Sequence, residues 1–160
     1  MKNQQPSQAA AIMIDTGIPE DDLEPIIPFC EKKLKCGHSC KGVSKERKCL
    51  PCLNVDCAKT SGLFHGINED ELCGICYTSE LGSEACSKLS CGHIFHTNCL
   101  VNLLTHKWPT LRITFGFMAC PSCNQEIKLE GLSKPVANEL GPLISMKKRV
   151  ERYAYINAEA

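Results

Sequence analysis

Cys73, Cys76, Cys91, His93, His96, Cys99, Cys120 and Cys123 form four close pairs of thiols and imidazoles. Zinc bonds to such ligands at about 2.0–2.3 Å, so each pair can grip one face of an ion and two pairs complete a tetrahedron. Eight ligands therefore suit two ions. A redox Cys-x-x-Cys would need one pair beside a βαβ pattern, and four pairs without that pattern fit it poorly. Disulfides are the other use for 13 cysteines in 160 residues. The N-terminal run MKNQQPSQAAAIMI has no apolar core of signal-peptide length, and no stretch approaches a membrane span. The expected setting is therefore a reducing one, cytoplasmic or nuclear, where free thiols interleaved with histidines read as zinc ligands.

An earlier block offers Cys30, Cys36, His38, Cys40, Cys49, Cys52 and Cys57, with His65 as a further candidate. That is enough for two ions, and one ion with spare thiols fits as well. His65 is the weakest member, because a lone histidine in a connector is ordinarily solvated. Lys32, Lys33, Lys35, Lys41, Lys45, Arg47 and Lys48 make this block locally basic, although 18 basic and 18 acidic side chains cancel over the chain. No global field draws it to nucleic acid or an anionic membrane. A solvated surface is the default reading of the lysines, and contact with nucleic acid or an acidic partner is the functional one. The ligand spacings of the two blocks differ, so they do not read as repeats of one another, and no other internal repeat is evident.

The elements around these ligands must be small, since aromatic residues are only 6% of the chain and leave little to bury. The expected architecture is a small, zinc-stabilised α+β fold. Residues 1–27 read as a disordered lead-in, 28–68 as an irregular Cys/His-rich zinc-binding segment, 69–128 as the second block and 129–160 as a helical tail. In the second block, Lys88–Ser90 and Ile94–Phe95 can pair as short strands around a Cys91-Gly92-His93 turn. Thr97 or Asn98 can cap a helix that runs to about Trp108 and stops at Pro109. Cys86 lies outside the ligand pattern and reads as an inert spare thiol. Beyond a Gly141-Pro142 break, Leu143, Met146, Val150 and Tyr153 share one stripe of a helix. That stripe suits docking on the zinc domain, with a dimer seam or partner site as the alternative.

The order Cys, Cys, Cys, His, His, Cys, Cys, Cys resembles the RING-H2 pattern. That resemblance implies a cross-brace: Cys73, Cys76, His96 and Cys99 on a first zinc, and Cys91, His93, Cys120 and Cys123 on a second. The run Arg112-Ile-Thr-Phe-Gly-Phe-Met-Ala-Cys120-Pro-Ser-Cys123, with Trp108 and the long gap after Cys99, is similar to the RING of the Pam/Highwire family of large E3 ubiquitin ligases. The similarity reaches upstream to Cys36-Gly-His38-Ser-Cys40 and Cys49-Leu-Pro-Cys52. The Cys-Gly-His-x-Cys core also resembles NF-X1-type fingers.

The family resemblance implies a RING-type ligase that recruits an E2~ubiquitin conjugate and acts by positioning it, with no catalytic residue of its own. Its partners would be an E2, ubiquitin and a substrate that the sequence leaves unknown. The E2 contacts it implies are Ile75, Leu103 or Trp108, and Pro121. Many RINGs carry Arg or Lys just after the eighth ligand, where this chain has Asn124, which lacks the long charged fork. The family's relay to a downstream cysteine domain would need thiols beyond Cys123. None occurs, so the expectation is a fragment or remnant that recruits an E2 without completing a relay. The competing class is a non-catalytic zinc scaffold or adaptor binding protein or nucleic acid.

Overall fold

The computed structural model describes residues 26–60, 67–106 and 114–159. The proposed lead-in lies outside these residues except for Ile26 and Ile27, and so do His65 and Trp108. Regular structure is sparse. A four-residue helix α1 (Val55–Ala58) closes the first block, with the Asn54 side chain accepting from the Asp56 N–H. Strands β1 (Cys86–Lys88) and β2 (Ile94–His96) form a two-stranded antiparallel sheet in register Cys86↔His96, Ser87↔Phe95, Lys88↔Ile94. Helix α2 (Thr97–His106) follows at once, and helix α3 (Lys134–Ala158) packs against it.

The strand pair is where the spacing placed it, shifted on one side. β1 begins two residues earlier than expected, and the turn widens to Leu89–His93, closed by Leu89 N–H to His93 O (2.9 Å) and Gly92 N–H to Leu89 O (2.9 Å). Gly92 has φ +96° there, a conformation that favours glycine. Thr97 opens α2, but its hydroxyl meets Ser87 Oγ at 2.6 Å instead of capping the helix, and Ser87 Oγ is also bonded to Ser133 Oγ. These three buried hydroxyls tie β1 to the starts of α2 and α3.

The expected break at Gly141-Pro142 does not occur. α3 runs through it from Lys134 to Ala158, with Pro135 near its start, where a missing N–H costs nothing. Inside the helix Pro142 is a defect of about 3 kcal/mol. Burial of Leu140 and Leu143 on either side, worth about 1.5–3 kcal/mol each, offsets it. The docking stripe therefore starts earlier than expected, with Val136, Leu140 and Leu143 buried and Met146 half-buried. Val150 (38% exposed) and Tyr153 (62%) lie beyond it, so the far end of the expected stripe is solvated. A Cβ at Gly141 would meet nothing within 4 Å. Gly141→Ala should therefore raise the thermal stability of the zinc-loaded chain by about 1 kcal/mol; a loss of stability would mean that residue 141 is not in a continuous helix.

The two Cys/His blocks share one core. Leu50 and Leu53 from the first belong to the same buried cluster as Leu89, Phe95, Leu100, Leu104, Met118, Ile127 and Leu140. Backbone bonds stitch the blocks together, Cys86 N–H to Lys41 O (2.8 Å) and Glu69 N–H to Leu53 O (2.7 Å). Nor are the blocks unrelated in local structure. Lys33-Leu34-Lys35-Cys36-Gly37-His38 forms the same hairpin as Lys88-Leu89-Ser90-Cys91-Gly92-His93. Leu34 N–H bonds His38 O (2.8 Å), Gly37 N–H bonds Leu34 O (2.9 Å), and Gly37 has φ +89°. The differing ligand spacings downstream of the two hairpins mask this repeat in the sequence.

Candidate metal centres

All thirteen cysteines are unbridged, and twelve of them gather with histidines into four groups whose ligand atoms lie within 4.8 Å of one another. Two groups are Cys73, Cys76, His96, Cys99 and Cys91, His93, Cys120, Cys123, the alternation that the RING-H2 resemblance implies. Two more lie in the first block: Cys36, His38, Cys52, Cys57 and Cys30, Cys40, Cys49. The thirteenth cysteine, Cys86, is in none of the four. It is buried in β1 and its thiol donates to Leu81 O at 3.0 Å. Desolvation pushes that thiol far above its ordinary pKa, which favours its protonated form.

The local chain explains how the ligands converge. Cys73 and Cys76 sit on a tight loop in which Tyr77 N–H bonds Cys73 O (3.0 Å) and Tyr77 takes φ +55°. Cys120 and Cys123 repeat it, with Asn124 N–H on Cys120 O (2.8 Å) and Asn124 at φ +59°. Asn tolerates this left-handed turn better than most residues. The sheet turn presents Cys91 and His93. β2 delivers His96, and the first turn of α2 delivers Cys99.

The donors fit zinc. Bonds of about 2.05 Å to nitrogen and 2.3 Å to sulfur at a tetrahedral angle place N and S about 3.6 Å apart. His96 Nδ1 lies 3.7 Å from both Cys76 Sγ and Cys99 Sγ. His93 Nδ1 lies 3.4 Å from Cys91 Sγ, and His38 Nδ1 lies 3.4 Å from both Cys36 Sγ and Cys57 Sγ. With Nδ1 turned to the sulfurs, His96 donates its Nε2–H to Glu80 O (2.8 Å), which fixes the tautomer as metal-binding histidines require. Glu80 had no signal in the sequence, because it acts through its carbonyl.

Electrostatics pull the ligand thiols in both directions. At Cys76, burial raises the thiol, but the Thr78 and Ser79 N–H groups, the Thr78 hydroxyl and His96 outweigh it and bring the pKa to about 6. In the other RING group, desolvation pushes Cys120 up to about 11, with Cys91 and Cys123 adding to it. In the first block, the N–H and ring of His38 lower Cys36 to about 6, whereas desolvation, Cys36 and Cys52 raise Cys57 to about 11. Several thiolates so close together repel one another, and a divalent cation is what would let all of them ionise.

Of the expected E2 contacts, Ile75 and Leu103 are half-buried and Pro121 is exposed. The loops bearing Ile75 and Pro121 abut: a Cβ at Gly74 would lie 3.9 Å from Ser122 Oγ. Among the described residues, no helix is long and apolar enough to cross a membrane.

Residues 69–131 match the FANCL C-terminal domain family. The chain is 41% identical to the E3 ubiquitin-protein ligase MYCBP2 of Danio rerio over 110 residues, 67% of this chain and 2% of that protein. It is 38% identical to the E3 ubiquitin-protein ligase highwire of Drosophila melanogaster over 133 residues, 78% of this chain and 2% of that protein. The chain thus spans about 2% of the length of these relatives. Interleaved ligand groups, a match centred on them and this identity over most of its length make the chain a homologue of the Cys/His-rich segment of the Pam/Highwire E3 ubiquitin ligases.

Proposed function

We propose that this chain is the E2-recruiting module of a RING-type E3 ubiquitin ligase. The observation that carries the reading is the pair of interleaved tetrads on Cys73, Cys76, His96, Cys99 and Cys91, His93, Cys120, Cys123. Four protein ligands would close each zinc and leave no coordination position for a reacting water, so the ions would be structural. Transfer then depends on holding an E2~ubiquitin thioester in a reactive orientation. The E2 would rest on Ile75 and Pro121, on loops that lie side by side, with Leu103 of α2 completing the contact. A reducing compartment, cytoplasm or nucleus, keeps the ligand thiols available.

The test is discharge of ubiquitin from a panel of charged E2 enzymes by the zinc-loaded chain. At least one E2 should lose ubiquitin faster in its presence. Ile75→Ala should slow that discharge roughly tenfold or more, the effect of losing about 1.4 kcal/mol or more of apolar contact, with zinc content unchanged. If no E2 binds or is discharged, the ligase reading fails and a zinc scaffold takes its place.

A further inference from the structure

The described ligands of the RING half alternate between two groups in chain order: two, two, two, two. Those of the first block alternate in the same sense. Cys30 belongs to one group, Cys36 and His38 to the other, Cys40 and Cys49 return to the first, and Cys52 and Cys57 to the second. We propose that residues 28–60 form a second cross-braced unit holding two zinc ions, one on Cys36, His38, Cys52 and Cys57 and the other on the thiolates of Cys30, Cys40 and Cys49, which leave its fourth coordination position to another ligand.

Four observations converge on this unit. The hairpin that presents Cys36 and His38 has the same hydrogen bonds and the same left-handed glycine as the one that presents Cys91 and His93. In both, the histidine Nδ1 lies 3.4 Å from the cysteine Sγ two residues before it, close to a zinc tetrahedron edge. Glycine is needed there for its backbone, since a Cβ at Gly37 would meet nothing within 4 Å. At the other group, Gly42 N–H points at Cys40 Sγ (3.3 Å), a contact suited to a sulfur that carries charge.

Packing alone does not account for the block. Val43, Leu50 and Leu53 are its buried aliphatic residues, too few to order this much irregular chain without added cross-links. Sequence proximity would join Cys49 to Cys52 on one ion, yet the structure assigns them to different groups. A local finger and a cross-brace are therefore distinguishable.

The unit is independent of the ligase reading: a chain that binds four zincs and discharges no E2 would sink only the latter. The full chain should carry four zincs by native mass spectrometry, and three or fewer would overturn the proposal. Cadmium-loaded chain, read by proton–cadmium correlation, should show one ion coupled to the β-protons of Cys36, Cys52 and Cys57 and another coupled to those of Cys30, Cys40 and Cys49. An ion coupled to both Cys49 and Cys52 would also overturn it. Cys52→Ser/Cys57→Ser should lose one zinc and keep three, whereas retention of all four would count against the assignment.

Discussion

His96→Ala should expel one zinc and unfold the β1–β2–α2 part of the chain. A structural zinc supplies on the order of 10 kcal/mol or more at neutral pH, comparable with the whole stability of a small domain. Removing a fully buried ligand that is also anchored to Glu80 O should cost several kcal/mol of it. Cys86→Ala is the matched control. Cys86 is equally buried and its backbone pairs directly with His96, but it belongs to no ligand group. It should cost about 1–2 kcal/mol and release no ion. Native mass spectrometry and urea unfolding read both. If His96→Ala kept every zinc and the parental midpoint, the ligand assignment would be wrong.

The second large effect is expected from trimming the chain to residues 69–159. A free-standing RING would lose little, but here the first block lies along the free edge of β1. Gly42, Val43 and Leu50 line one surface pocket together with Cys86, Ser87 and Leu89. Trimming removes Leu50 and Leu53 from the shared core and uncovers Leu89, at about 1.5–3 kcal/mol for each large side chain. It also removes Lys41 O from Cys86 N–H and Glu46 Oε1 from Lys134 N–H. A loss of about 5 kcal/mol or more in the urea unfolding of the RING half is expected. An unchanged midpoint would show that the blocks fold separately.

In the RING half the candidate ligands come as contiguous pairs, and the cross-pairing that the family resemblance implies is compatible with the two clusters found there. The grouping of the first block could not be read in the same way. Cys49 and Cys52 look like one pair, and only the folded chain separates them. The common hairpin was visible as Lys-Leu-x-Cys-Gly-His at positions 33 and 88, but differing downstream spacings hid it. In the tail, the local rule that Gly-Pro ends a helix lost to the burial of Leu140 and Leu143. β1 started early because its register follows the side chains that reach the core, Cys86 and Ser87 among them. No spacing rule pointed to the hydroxyl cluster of Ser87, Thr97 and Ser133, whose members are far apart in sequence.

Interleaving also sets a timetable. A ribosome extending the chain at about 5–20 residues per second exposes Cys91 and His93 seconds before Cys120 and Cys123 emerge. Cys73 and Cys76 likewise wait for His96 and Cys99. Metal met early by half a site can be held only weakly and passed to the wrong partner, so correct assembly favours zinc delivered late or released readily from first encounters. The cross-brace that staples the finished protein thus makes its biogenesis a race between metal capture and chain completion.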